Sequence, residues 1–124
     1  MRVKIDSIEY YLPEKKESNK DLLLDNPDWD MSKIVEKTGI SIRSIASSNQ
    51  TAVDLAFEAA IKLLKGVSSK EDIDLIILVT QSPDYVLPTS ACILQNKLGL
   101  SKKCMAFDMN LGCSGFVYAI SVVS

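Results

Sequence analysis

Histidine is missing altogether from the 124 residues. Its absence removes the usual general base and the commonest metal ligand together, so acid–base or metal chemistry in this chain has to borrow those groups. Cysteine is scarce: the three present, Cys92, Cys104 and Cys113, are an odd number at spacings that match no zinc pattern. Neither a disulfide framework nor a metal site is the natural reading, no metal is expected, and a reducing cytoplasm is the default compartment. Aromatic residues amount to 6% and do not cluster, which leaves no stacking platform for bases. Nor is there an excess of positive charge. With 14 Lys and Arg against 16 Asp and Glu, the chain is not built to neutralise nucleic-acid phosphates, and Lys15-Lys16 and Lys102-Lys103 read as solvated loop charge. Long apolar runs are lacking as well. No segment reaches the length of a bilayer, and Arg2, Lys4, Asp6 and Glu9 interrupt the stretch a signal peptide would need. Internal repeats and low-complexity tracts are absent.

What is present is an ordinary globular composition, 47% hydrophobic and 24% charged, at a length that suits one domain with its own core. Val3, Ile5, Ser7, Glu9 and Tyr11 alternate imperfectly with their neighbours, which predicts a first strand ended by Leu12-Pro13. Asn19 is the expected N-cap of a short helix from Lys20 to about Leu24, and Trp29 to Lys37 reads as a second helix that Gly39 ends. Ile40 to Ala46 is extended or looped, and Ser47-Ser48-Asn49-Gln50 is a turn signal, the nearest thing to a linker. Thr51 and Asp54 form a capping-box pair ahead of Ala52, Val53, Leu55, Ala56, Ala59, Ala60, Leu63 and Leu64 at helical spacing, with Gly66 to close the helix. Leu75-Ile76-Ile77-Leu78-Val79 is the continuous apolar run of a parallel strand buried on both faces. Thr89 or Ser90 caps a helix to Leu98 that Gly99 ends, Lys103 to Met109 supplies a further strand, and Gly115 to Ser124 begins a helix without a stop signal. This alternation predicts an α/β fold on a mostly parallel sheet.

One segment carries chemistry. Phe107-Asp108-Met109-Asn110-Leu111-Gly112-Cys113-Ser114-Gly115-Phe116 sets a cysteine among small residues where a strand gives way to a helix. A nucleophile on such a turn stands at the carboxyl edge of the sheet, where open α/β folds bind ligands, and the glycines allow a tight backbone. The amino end of the following helix favours negative charge on the sulfur, and the Cys113 N–H is placed to meet an oxyanion on an attacked thioester. From the residues alone a buried structural cysteine fits the same turn, and a redox-sensing thiol with a resolving partner is a further alternative. Cys92, within a helix, and Cys104, at a strand entrance, read as core.

The stretch from Ala106 to Ala119 resembles the nucleophile motif of the β-ketoacyl-acyl-carrier-protein synthase III family, thiolase-fold condensing enzymes: an Asp, a few residues, then Ala or Gly, Cys, Ala or Ser, Gly, Phe. Tyr11-Leu12-Pro13-Glu14, Thr38-Gly39-Ile40 with Arg43 and Ile45-Ala46, Asp74 to Ser82, and Leu87-Pro88-Thr89 resemble other family stretches in order and spacing. The resemblance implies a thiolase-like fold, with residues 1–124 as one N-terminal half domain, an incomplete first βαβαβαββ half of a longer enzyme. It implies Cys113 as the nucleophile that accepts an acyl group from a coenzyme A thioester. Malonyl-acyl-carrier protein then attacks in a decarboxylating Claisen condensation. The family's histidine and asparagine have no counterparts here, so the piece alone is expected to be inactive. The same likeness puts Lys33 where the family stacks adenine on tryptophan, with Trp29 a helical turn earlier; Lys37 at a basic position near the nucleotide; Thr38 at a neighbouring polar contact; and Leu87 where an aromatic often crosses the dimer interface to bound the acyl pocket of the second copy. Coenzyme A enters as substrate and not as a permanently bound cofactor. Acyl-carrier protein and a second copy of the chain are the implied partners, and fatty-acid biosynthesis the implied setting. Polyketide, quinolone or polysaccharide condensing enzymes, or a non-catalytic α/β interaction module, are the alternatives.

Overall fold

The computed structural model describes residues 4–124. From Lys4 to Pro13 no strand forms, against the expectation of one through Tyr11; Val3, where that strand was to begin, lies outside the described residues. Alternation makes a strand only where a second backbone completes the ladder. Among the described residues nothing pairs with this segment, and Ile5, Ile8 and Tyr10 stay exposed. Its end is held by Lys62, whose ammonium donates to the Tyr10 carbonyl at 2.9 Å and stands 5.8 and 5.7 Å from the Tyr10 and Tyr11 rings.

The chain divides into two compact units, Leu12–Asn49 and the remainder. The boundaries fall at Leu12-Pro13 and at the Ser47–Gln50 turn signal. In Leu12–Asn49, β1 (Lys16–Ser18) pairs antiparallel with β2 (Ile42–Ser44), setting Glu17 opposite Arg43. Ser18 caps α1 (Asn19–Asp25) in place of Asn19. Its hydroxyl accepts the Asp21 N–H at 3.3 Å while the Asp21 carboxylate accepts the Ser18 N–H at 2.7 Å. These bonds from Ser18 hold the Asp21 carboxyl below its ordinary pKa. Asn19 is buried instead, donating to the Ile40 carbonyl at 3.0 Å and accepting from the Arg43 guanidinium. A polar side chain in that position is tolerated because both ends are satisfied. In α2 (Met31–Thr38), Asp30 caps the start by accepting the Ser32 and Lys33 N–H groups at 3.2 and 3.4 Å, and Gly39 closes the end at φ 69°.

In the other unit, α3 (Ala52–Leu64) begins with the expected reciprocal cap, the Asp54 N–H on Thr51 Oγ1 at 3.4 Å and the Thr51 N–H on Asp54 Oδ2 at 3.0 Å. It is capped at its end by Lys65, one residue before Gly66. β3 (Leu75–Val79) and β4 (Met105–Met109) pair in parallel through the crossover helix α4 (Ser90–Leu98), with Leu75 opposite Met105 and Val79 opposite Met109. Side chains alternate across this sheet. Ile76 and Leu78 face a core of Val53, Leu94, Leu98, Leu100 and Cys104 supplied mainly by α3 and α4, whereas Val79 meets the start of α5 (Gly115–Val123). All five β3 residues are only half-buried, so the expectation of a strand buried on both faces fails; α3 and α4 cover one face more fully than α5 covers the other.

Lys97 of α4 reaches Asp54 at the head of α3, Nζ to Oδ1 at 2.5 Å, and lies 5.3 Å from the Phe57 ring centroid. The Lys97 ammonium, followed by the Thr51 N–H, holds the Asp54 carboxyl below its ordinary 3.8. A carboxylate with a lowered folded pKa contributes stability that is complete above the unfolded value and is lost as pH falls through the folded one. The pair therefore supports the fold above pH 3.8 and fails below it. Both side chains are about one-third exposed, 38% and 32%, and solvent screening limits the contribution to about 1 kcal/mol or less. Asp54→Asn is expected to lower the thermal midpoint by a few degrees at neutral pH and to leave it unchanged in strong acid. An acid-side difference as large as the neutral one contradicts this assignment.

Candidate active site

β4 ends at Met109, and the backbone turns sharply before α5. The Gly115 N–H closes on the Gly112 carbonyl at 2.9 Å, which puts Cys113 and Ser114 at the two central positions of a turn. Ser114, at φ −82° and ψ −12°, has the dihedrals of the third residue of a type I turn. The thiol at the apex is exposed and unpaired, so the alternative of a buried structural cysteine is overturned. No described residue accepts from the Cys113 N–H, which leaves that donor available to an oxygen developing negative charge beside the sulfur.

β3 dictates the two glycines. A Cβ on Gly115 would overlap Val79 Cγ1 and press on Leu111 Cβ at 3.3 Å, so α5 starts against the sheet only because that atom is absent. A Cβ on Gly112 would stand 2.9 Å from Cδ and Oε1 of Gln81. The Gln81 side chain thus lies against the residue that precedes Cys113. Thr80, between these two β3-end residues, donates its N–H to the Met109 carbonyl at 3.2 Å. The end of one strand grips the Cys113 turn on both flanks. Gln81 is not a residue that sequence reasoning singled out; the clue available was a glycine next to the cysteine with nothing in its own stretch to require it.

The other thiols are held differently. Cys104 is buried in the core, and burial, with the negative charge of Asp74 second, pushes its thiol up. Cys92 is half-buried and accepts from the Thr89 hydroxyl at 3.2 Å. Both suit core packing.

No protein-family model matches the chain. Among curated proteins it is 47% identical over 116 residues to the β-ketoacyl-[acyl-carrier-protein] synthase III of Xylella fastidiosa, covering 90% of this chain and 34% of that protein. It is 45% identical over 122 residues to the protein of that name in Fusobacterium nucleatum, 95% of this chain and 36% of that one. A crystal structure of a 3-oxoacyl-(acyl-carrier-protein) synthase III superposes with a TM-score of 0.85 at 50% identity, over 95% of this chain and 35% of that one. The chain is β-ketoacyl-acyl-carrier-protein synthase III-like. It folds as an α/β part of the thiolase fold, and it spans about a third of the length of the curated relatives it matches.

The remaining residues that likeness pointed to stand as follows. Lys33, Lys37 and Thr38 belong to α2 of the Leu12–Asn49 unit. Lys33 is exposed and pairs with Asp30 at 3.1 Å, while Lys37 is exposed in the last turn. The Thr38 hydroxyl donates to the Ile34 carbonyl at 2.6 Å and accepts the Ile40 N–H at 3.1 Å, so it is occupied in finishing the helix. None of the three lines the 420 Å³ groove of this unit, which Asn19, Met31, Val35 and Ile42 help to form. Leu87 lies in the loop between β3 and α4, 80% exposed, beside exposed Tyr85 and Val86. Trp29, ahead of α2, is half exposed. No described helix is long and apolar enough to cross a membrane.

Proposed function

We propose that the protein carrying this chain is an acyltransferase of the 3-oxoacyl-acyl-carrier-protein synthase III type. The observation that carries the reading is Cys113, exposed at the apex of a turn that β3 clamps through Gly112 and Gly115. The sulfur, as thiolate, adds to the carbonyl carbon of an acyl-coenzyme A. The tetrahedral oxyanion meets the Cys113 N–H, and collapse expels the coenzyme A thiolate, which takes up a proton. Malonyl-acyl-carrier protein then loses carbon dioxide, and its α-carbon attacks the acyl-cysteine carbonyl, forming a carbon–carbon bond and returning the Cys113 sulfur. The products are 3-oxoacyl-acyl-carrier protein and carbon dioxide. This chain has no histidine, so its own part is the acyl-accepting half of the cycle.

Lys33 and Lys37 belong to the same proposal as the cationic side chains nearest the coenzyme A nucleotide, with Thr38 beside them. Leu87 is assigned to the rim of the acyl pocket in a homodimer; the exposure of Tyr85, Val86 and Leu87 on one loop supports an apolar partner for that segment. Fatty-acid biosynthesis in the cytoplasm is the setting this chemistry suits, and a reducing compartment accords with three free cysteines.

Incubation of the intact protein with acetyl-coenzyme A, followed by digestion and mass spectrometry, tests the reading. An acetyl group on the Cys113 peptide is the expected result. Acetylation confined to Cys92 or Cys104, or none at all, overturns it.

A further inference from the structure

Asp108 is a carboxylate in the middle of an otherwise apolar strand, Met105-Ala106-Phe107-Asp108-Met109. It stands opposite Leu78 in the sheet, on the face covered by α4. Its Oδ2 accepts the Ser90 N–H at 2.8 Å and its Oδ1 accepts the Ala91 N–H at 2.6 Å. These are the first two amides of α4, and both residues are fully buried. The expected cap, Thr89 or Ser90, is therefore displaced. Thr89 Oγ1 turns to Cys92 Sγ, and Ser90 Oγ accepts the Asp84 N–H at 3.1 Å from within the preceding loop. A carboxylate brings two acceptor oxygens and a negative charge to the positive end of a helix, where a threonine hydroxyl brings one neutral acceptor.

One side chain thus fastens two parts of the candidate site. Asp108 lies five positions before Cys113 on the strand that presents the nucleophile. Through Ser90 it reaches Asp84 and so holds both ends of the segment bearing Tyr85, Val86 and Leu87, a segment whose exposed side chains do little to fix it. We propose that Asp108 is a positioning residue, setting the loop between β3 and α4 relative to the Cys113 turn and thereby the shape of the acyl pocket. The part concerning acyl selectivity rests on the acyltransferase reading above; the part concerning the loop does not.

Asp108→Asn in the intact protein is the test. The amide keeps one acceptor oxygen but turns an NH2 toward the other backbone N–H, so one of the two bonds is lost. Hydrogen exchange is expected to quicken at least about tenfold at the Asp84, Ser90 and Ala91 amides, with little change in β4 or in the Cys113 turn. Alkylation of Cys113 by iodoacetamide, a reagent small enough to need no acyl pocket, is expected to stay within about twofold of the parent. The preference between acetyl- and octanoyl-coenzyme A is expected to shift about tenfold, mainly through KM, since about 1 Å of misplacement costs a reaction up to about a hundredfold. Ser90→Ala, which frees the Asp84 amide and leaves both Asp108 bonds in place, should quicken exchange at Asp84 but not at Ser90 or Ala91 and shift the acyl preference less, and it serves if the Asn variant does not fold. Loop exchange unchanged in the variant overturns the proposal. Loop exchange quickened with an unchanged acyl preference overturns its selectivity half. A parent protein that transfers no acyl group sinks the acyltransferase reading, and the exchange data then decide on Asp108 alone.

Discussion

Cys113→Ala in the intact protein is expected to abolish acyl transfer, by a factor of about a thousand or more, while leaving the fold unchanged. The two halves of this expectation have separate causes. The sulfur is the only atom at the apex of the turn able to form a thioester, and removing a nucleophile removes the covalent route outright. The side chain is also exposed and unpaired, at a central turn position where alanine adopts the same backbone. A surface substitution of that kind shifts stability by about 0.5 kcal/mol or less. Thermal midpoint and acylation should therefore come apart: the first preserved, the second gone. Cys113→Ser should resemble alanine, because a hydroxyl is a far weaker nucleophile than a thiolate. An acyl adduct that persists at full occupancy in the alanine variant, or a midpoint that falls by several degrees, contradicts the role assigned here.

Much of this arrangement was legible in the sequence, and the parts that were share a physical character. The Thr51–Asp54 cap, the left-handed glycines 39 and 99, the apolar run of β3 and the small-residue turn around Cys113 are all set by neighbours along the chain. What was misread depends on a group far away in sequence. Val3 to Tyr11 has a strand's alternation, yet no described strand completes its ladder. Lys16–Ser18 has no such pattern and becomes β1 because Ile42–Ser44 lies beside it. Thr89 has the right residue type for a cap and loses that role to Asp108, on another element. Asn19 likewise yields to Ser18 because Arg43 and Ile40 claim its amide. The same division runs through the candidate site: Cys113 was visible as a candidate in its own ten-residue stretch, whereas Gln81 packs on Gly112 and Asp108 bonds the start of α4 from elsewhere in the sequence. A carboxylate inside an apolar strand was the one sequence signal that could have led to Asp108.

Gly115→Ala carries the largest structural effect expected for a single added methyl. The added Cβ overlaps Val79 Cγ1, the branch of a stiff side chain seated in the sheet, with Leu111 Cβ at 3.3 Å on another side. Val79 has little rotamer freedom with which to retreat. Either α5 lifts from β3 or the end of β3 shifts, and overpacking of this kind costs about 1–3 kcal/mol, occasionally more. Gain of helix propensity from Gly to Ala recovers less than about 1 kcal/mol, so packing decides the sign. The displacement also reaches the sulfur, since Gly115 closes the turn on Gly112. A fall in thermal midpoint should therefore accompany a slower reaction of Cys113 with acyl-coenzyme A. Val79→Ala supplies the control. Alone it destabilises by deleting apolar contacts, but in the Gly115→Ala background it removes the overlapping atom, and the double variant should be more stable than the sum of the single losses predicts. Additive losses, or a Gly115→Ala midpoint equal to the parent's, mean that α5 does not need to approach β3 this closely.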